Sequence, residues 1–164
     1  MNDDEFDFDA ALRLLLDSDA RWQPPPDVSG GDSPQRRTLD RFANVLARML
    51  QRPPRWLETI THPVAQEAGE IEVRVLGEQA LYLVSSAWAS QDAEVSPVVR
   101  VRPLRDLRAL DVDGFEFDEA DRPTGWTITL LFTSGDSVRL GSSAGADRSH
   151  LTSVLPALLE RIGV

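Results

Sequence analysis

The chain has 164 residues, of which 41% are hydrophobic and 27% charged, and its formal net charge at pH 7 is −10. Because cysteine is absent, disulfides, thiolate nucleophiles, iron–sulfur clusters and cysteine-containing zinc sites are excluded. All 17 basic residues are arginine, so the lysine of a P-loop or of a Schiff base is excluded too. The negative charge disfavours nucleic acid and anionic membranes as partners, unless positive charge is concentrated in one patch.

The N-terminal region predicts an acidic helical segment and a linker. Residues 1–22 place Phe8, Ala11, Leu12, Leu15 and Leu16 at helical spacing behind a run of carboxylates. Residues 23–34 are rich in proline and glycine and lack apolar periodicity, which is typical of a linker. The first residues do not resemble a secretory signal, and no apolar run approaches the roughly 18 residues of a membrane span. We therefore expect a cytoplasmic protein.

A second amphipathic helix and a connection are predicted over residues 35–67. The helix starts near Ser33-Pro34 and ends near Gln51, before Pro53-Pro54. Its apolar face comprises Leu39, Phe42, Ala43, Leu46, Met49 and Leu50. Four arginines, Arg37, Arg41, Arg48 and Arg52, lie within about 60° of one another on the opposite face. This arginine stripe is the candidate binding site.

Two kinds of ligand fit the arginine stripe. One is an external polyanion, because a basic amphipathic helix can bind an anionic surface. The other is the acidic segment of residues 3–19, which carries seven carboxylates and is long enough, with its linker, to fold back. The overall negative charge favours self-pairing, or a plain solvated face, over an external polyanion.

Residues 68–164 predict a small antiparallel sheet or partly open barrel, closed by a C-terminal helix. Strict alternation over residues 70–75, a Gly77-Glu78 turn and residues 80–86 indicate a first hairpin. One or two strands follow over residues 98–110, with Arg100 and Arg102 on the outer face. A second hairpin joins residues 125–133 to Val138 and Leu140 through Ser134-Gly135-Asp136. The fold class is therefore α+β.

The C-terminal helix is indicated by apolar residues at spacings of three and four, namely Leu151, Val154, Leu155, Leu158 and Ile162. Pro156 lies inside this pattern, and proline costs about 3 kcal/mol in a helix interior. Either the helix kinks at Pro156, or it begins nearer Ser153 so that Pro156 occupies its first turn.

No catalytic or metal-binding constellation is predicted. Gly141 to Gly145 matches G-x-S-x-G, with Ser143 as nucleophile and His150 as base, but the preceding strand is antiparallel and few residues follow. A hydrolase using Ser143 is a remote alternative. The carboxylates of residues 111–121 are interpreted as a solvated acidic loop rather than a calcium site, because the first and last EF-hand positions would be alanines. The two histidines share no ligand spacing, so no cofactor is expected.

The order of elements from about residue 68 resembles bacterial pleckstrin-homology-like domains. The segment from Val99 to Leu107, followed by Gly125-Trp126 and by Phe132 to Asp136, is the part most similar to them. The resemblance implies a binding or scaffolding module. Lipid-binding members place basic residues in the first hairpin loop, which in this chain would be Gly77-Glu78-Gln79, so phosphoinositide binding is not expected.

The sequence therefore predicts a protein-interaction or scaffolding module without enzymatic activity that binds a protein partner. The alternative is a small acidic chaperone or immunity-type protein whose carboxylates cover a basic client. Nucleic acid and membrane are not expected as partners, and a homo-oligomer is left open.

Overall fold

The computed structural model describes residues 6–18, 34–65, 68–88, 96–142, 146 and 148–163. In these ranges the helices are α1 (Phe8–Ser18), α2 (Pro34–Met49) and α3 (Arg148–Ile162). The strands are β1 (Trp56–Ala65), β2 (Ala68–Leu76), β3 (Ala80–Trp88), β4 (Val98–Pro103), β5 (Leu107–Phe117), β6 (Pro123–Phe132) and β7 (Ser137–Leu140). Of the helices described, none has both the length and the apolar character needed to cross a membrane.

The strands form two antiparallel sheets, which confirms the predicted α+β class. Sheet one has the order β1-β2-β3-β4, and sheet two has the order β5-β6-β7. The described strands do not close into a barrel. A single turn of 3-10 helix at Leu104–Asp106 links the two sheets. The predicted Ser134-Gly135-Asp136 turn joins β6 to β7, with Gly135 at φ +89°.

Strand β1 corrects the sequence analysis, which treats the chain between α2 and residue 68 as a connection. Trp56 pairs with Leu76 and Ala65 with Ala68, so β1 and β2 form the first hairpin. The Gly77-Glu78-Gln79 turn joins β2 to β3 and is the second hairpin loop. The first loop is at residues 66 and 67, which lie outside the described residues, as do most of the predicted linker and Ser143 to Gly145.

Helices α1 and α2 cover one face of sheet one. The core beneath them contains Phe6, Ala11 and Leu15 from the α1 region, Leu39, Phe42, Leu46 and Leu50 from the α2 region, and Ile71, Val73, Val75 and Val84 from the sheet. The Oγ of Ser18 lies 2.7 Å from Oγ1 of Thr59, a contact that joins α1 to β1. The N-terminal helices are therefore an integral layer of the fold.

A second core lies between the two sheets and α3. Leu76, Leu81 and Leu83 of sheet one, Ile128, Leu130 and Phe132 of β6, and Leu151, Val154 and Leu158 of α3 contribute to it. Helix α3 begins at Arg148, so the interpretation that places Pro156 in the first turn is wrong. Pro156 is exposed in the helix interior.

The placement of Arg100 and Arg102 on the outer face is also corrected. Arg102 pairs with Leu81 and Arg100 with Leu83, and both leucines belong to the core between the sheets. The two arginines therefore lie on the face that turns toward sheet two. Arg102 is half-buried and forms an ion pair with Asp136 at 2.6 Å.

A buried carboxylate ties the two sheets together. Glu58 of β1 is 1% exposed, and its Oε2 accepts a hydrogen bond from the backbone N–H of Gly141 at 3.1 Å. Its Oε1 lies 3.3 Å from Nη1 of Arg74, which also donates to the carbonyl of Arg139. A buried charge requires such partners because desolvation is costly.

Candidate interaction surfaces

Helix α2 has one apolar and one cationic face, as the sequence predicts. Phe42 and Leu46 are fully buried, and Leu15 of α1 packs in the same core. Asp9 and Asp17 of α1 are exposed, and neither forms an ion pair with the arginine stripe. The described part of the acidic segment therefore covers the apolar face of α2 rather than the stripe.

The four arginines of the stripe divide between two depressions. Arg41 and Arg48 line a groove of about 410 Å³ between α2 and the start of β4, which we call the α2–β4 groove; its other lining residues are Asn44, Val45, Ser96 and Pro97. Arg52 lies beyond the end of α2 in a separate depression of about 430 Å³, 3.7 Å from the carboxylate of Glu78. Arg37 is exposed and lines neither. The structure thus brings Arg41 and Arg48 together and separates the other two.

A second surface lies at the outer end of the β5–β6 hairpin. Asp113 pairs with Thr127, and the next pair is Glu116 with Gly125. Between these two pairs β5 therefore advances by three residues and β6 by only two. Gly114, within the longer stretch, has φ +60°. This is a β-bulge, which inserts one residue into β5. A one-residue shift turns the side chains that follow to the opposite face of the strand. The bulge thus changes the direction of Phe115, and a second register shift follows between Glu116 and Phe117.

The bulge is followed by a cluster of three aromatic rings. Phe115 packs edge-on against Trp126 with ring centroids 6.0 Å apart, and Phe117 lies 6.3 Å from Phe115. Phe115 is 50% and Phe117 59% exposed. The buried indole Nε1 of Trp126 has no hydrogen-bond partner among the described residues. Adjacent aromatic side chains that remain half in water are typical of binding surfaces. We call these residues the aromatic hairpin.

Carboxylates surround the aromatic hairpin. Of the six in residues 111–121, three form ion pairs within the chain: Asp113 with Arg139, Glu116 with Arg148 and Asp118 with Arg122. The other three, Asp111, Glu119 and Asp121, are exposed and have no cationic partner in the described part of the chain. The local field at the hairpin is therefore negative.

The turn of the hairpin is held by Asp118. Its Oδ1 accepts hydrogen bonds from the backbone N–H groups of Ala120, at 2.9 Å, and Arg122, at 3.0 Å. The hydrogen bond from the Arg122 backbone is the largest cause that lowers the pKa of the Asp118 carboxyl below its usual 3.8, whereas desolvation acts in the opposite direction. The charged carboxylate therefore orders the turn.

The aromatic hairpin was not predicted from the sequence, because the carboxylates of residues 111–121 are typical of a solvated acidic loop. In the structure β5 continues to Phe117, so most of this stretch is strand. A signal was available, since Phe115 and Phe117 alternate with Glu116 and Asp118 at the period of a strand. The high density of carboxylates obscured it.

The residues considered for catalysis and metal binding have other contacts. Gly141 has φ +79°, and a Cβ there would lie 2.7 Å from Cδ1 of Leu151, so a close approach explains this glycine. Nε2 of His150 is 3.1 Å from the carbonyl oxygen of Arg55, and Ser143 lies outside the described residues. The described residues contain no group of three or more His, Asp or Glu side chains that could hold a metal ion.

Comparison of the chain with protein-family models, with curated proteins and with solved structures finds no match. Function is therefore inferred from the two surfaces themselves.

Proposed function

We propose that the protein is a non-enzymatic protein-interaction module that binds its partner with the aromatic hairpin. The observation that carries the proposal is the exposure of Phe115 and Phe117, at 50% and 59%, on adjacent positions of one strand face. Complete burial of one such side chain stabilises a complex by about 1.5 to 3 kcal/mol relative to leaving it in water. Because both rings are held on a paired strand, little ordering is required on binding.

The carboxylates around the rings define the chemistry of the partner. Asp111, Glu119 and Asp121 lack cationic partners among the described residues, so a complementary surface carries positive charge. The partner proposed is a protein segment with an apolar side chain flanked by arginine or lysine. Charge complementarity would orient this segment, and the apolar side chain would bury the phenylalanines.

The arrangement of the sheets supports the proposed resemblance to pleckstrin-homology-like domains. A four-stranded sheet is followed by a three-stranded sheet and then by a C-terminal helix that packs on β6. Modules of that kind mostly bind or scaffold other proteins. The resemblance adds to the proposal, but the exposed aromatic pair carries it.

Selection from a peptide library tests the proposal and does not require the natural partner. Random-sequence peptides displayed on phage are selected against the wild-type protein and against Phe117→Ser. We expect the wild type to enrich peptides with an apolar residue flanked by Arg or Lys. A synthetic peptide of the enriched sequence should bind Phe117→Ser about tenfold more weakly, as for a residue at the centre of an interface.

The matched control is Val98→Ser, because Val98 of β4 is exposed to a similar extent, 54%, outside the hairpin. This variant should bind the selected peptide like the wild type, and thermal unfolding should show that both variants are folded. Selection without a common sequence, or equal binding by Phe117→Ser and wild type, would refute the proposal.

An acidic chaperone or immunity-type protein that covers a basic client is the second candidate. It is favoured by the three hairpin carboxylates that lack cationic partners among the described residues. In this case the variant Asp111→Asn/Glu119→Gln/Asp121→Asn should lose most of its affinity for the selected peptide, whereas Phe117→Ser should lose little. The affinity of the wild type should also fall strongly as the salt concentration rises. The opposite ranking favours the interaction module.

A further inference from the structure

Strand β4 is an edge strand whose hydrogen-bonding pattern can be assigned. It pairs with β3 on one side, with Ala80 opposite Pro103 and no shift of register. The backbone N–H of Leu104 donates to the carbonyl of Gln79 at 2.8 Å, so these residues form a hydrogen-bonded pair. Because such pairs alternate, Val98, Arg100 and Arg102 bond to β3. The backbone groups of Val99, Val101 and Pro103 therefore point away from the sheet.

Prolines limit this free edge at both ends. Pro103 occupies an outward-facing position, Pro97 directly precedes the strand, and neither has an N–H, which is a common protection of edge strands. Between them, Val99 and Val101 each turn one N–H and one C=O outward. None of these groups has a partner among the described residues. Val101 is 45% exposed, so a short window of the edge is open to another strand.

Both faces beside the window are cationic. On the face of α2, Arg41 and Arg48 line the α2–β4 groove together with Ser96 and Pro97. On the other face, Arg100 is exposed and forms no ion pair with a described residue. Alternate side chains of an added strand point to opposite faces. Carboxylates on an added strand would therefore meet arginine on either face.

We propose that β4 accepts an acidic, extended segment of a partner protein as a fifth strand of sheet one. Backbone hydrogen bonds to Val99 and Val101 supply the pairing, and Arg48 and Arg100 select for carboxylates. The acidic segment is inferred from charge complementarity. This site is separate from the aromatic hairpin and prefers the opposite charge, so it extends the proposed function and does not depend on it.

Binding of a designed peptide tests this site. The probe is a nine-residue peptide in which Glu alternates with Val, and its control has the neutral Gln in place of every Glu, because a Lys peptide would be a ligand for the aromatic hairpin. Isothermal titration calorimetry at low salt should show that the Gln peptide binds at least about tenfold more weakly than the Glu peptide. Arg48→Glu/Arg100→Glu should weaken binding at least about tenfold. The matched control is Arg108→Glu, at an exposed site on β5, which should change the affinity for the Glu peptide by less than about twofold.

A backbone variant separates strand addition from simple charge attraction. Val101→Pro removes an outward N–H without removing a hydrogen bond to β3, so the fold should persist. The affinity of this variant for the Glu peptide should be about tenfold lower, because one backbone donor for pairing is lost and the proline ring obstructs the added strand. Phe117→Ser should bind the Glu peptide like the wild type, which keeps this test independent of the aromatic hairpin.

Three results would overturn the proposal. The first is equal binding of the Glu and Gln peptides, and the second is unchanged binding of the Glu peptide by a folded Val101→Pro. The third is self-association, seen by analytical ultracentrifugation and abolished by Val101→Pro, which would make a second copy of the chain the occupant of the edge.

Discussion

The two sheets differ in how completely they are covered. Sheet one has α1 and α2 on one face and the core shared with sheet two and α3 on the other, so Val73, Val75 and Leu81 are fully buried. Sheet two is covered on one face, and its β5–β6 hairpin extends past the core with Phe115 and Phe117 in water. The covered faces of both sheets therefore supply stability, whereas the exposed extension of sheet two is the part to which we assign binding in the proposed function.

The two sheets also differ in charge at their accessible edges. Arginines border the free edge of β4, whereas carboxylates border the aromatic hairpin. A net charge of −10 does not show this separation. Partners of opposite charge would therefore bind at different places on the molecule.

The largest expected effect is from truncating one phenylalanine in each region. Phe42→Ala should destabilise the protein by about 3 to 5 kcal/mol, because Phe42 is fully buried between α2 and sheet one. Phe117→Ala, the same substitution at a 59% exposed site, should change stability by less than about 0.5 kcal/mol. Urea unfolding of both variants measures the difference. A similar loss of unfolding free energy in the two variants would contradict the division between a region that supplies stability and a region that supplies binding.

The next effect tests the link between the sheets. Glu58→Gln should destabilise by about 1 to 3 kcal/mol, because it removes one of the two carboxylates that pair with Arg74, the other being Glu72, and exchanges one acceptor oxygen for a donor NH₂ group. Glu70→Gln is the control, since Glu70 is exposed on β2 and should behave like the wild type. Thermal unfolding that ranks the two variants equally would show that the buried bridge does not hold the sheets together.

A smaller difference in stability is expected between alanine substitutions at two glycines, one in the turn before β7 and one directly after β7. Gly141 and Gly135 both have positive φ, so alanine at either site is strained, at about 1 kcal/mol. At Gly141 the added Cβ would also lie 2.7 Å from Leu151, whereas at Gly135 nothing lies within 4 Å. Gly141→Ala should therefore have the lower melting temperature. The reverse order would mean that α3 does not pack against Gly141 as described.

The smallest effect concerns pH at the hairpin turn. The pKa of Asp118 is lowered in the folded protein, so its contribution to stability is present above the usual 3.8 and is lost as pH falls through the lower folded value. Carboxyl ¹³C NMR should give a midpoint below 3.8 for Asp118. A midpoint for Asp118 at or above 3.8 would argue against the turn geometry.

Elements with a clear period were predictable from the sequence. The alternation of residues 70–75 and 126–132, and the helical spacing in α2 and α3, correspond to observed elements. Strand β1 was missed because Glu58 is charged yet buried, and Pro63 interrupts the pattern. Such a residue is recognisable as interior only when its partners, Arg74 and Gly141, are known.

The binding surfaces were less predictable than the fold. The arginine stripe indicated the cationic side of α2, but only the packing of α2 on sheet one shows that Arg41 and Arg48 border β4. Strand order determines which strand is an edge, and sequence alone does not specify strand order. The exposure of Phe117 likewise depends on the bulge at Gly114 and on how far the hairpin extends beyond the core.

The most direct test of the proposed function is an NMR titration of the ¹⁵N-labelled protein with a peptide selected on the aromatic hairpin. The indole ring of Trp126 packs edge-on against Phe115, and its buried N–H has no partner among the described residues, so the resonance of this N–H should report binding there. We expect this resonance and the amides of residues 111–121 to shift, while the amides of Val98 to Val101 do not. Shifts confined to β4 or α2, with the hairpin resonances unchanged, would contradict the account.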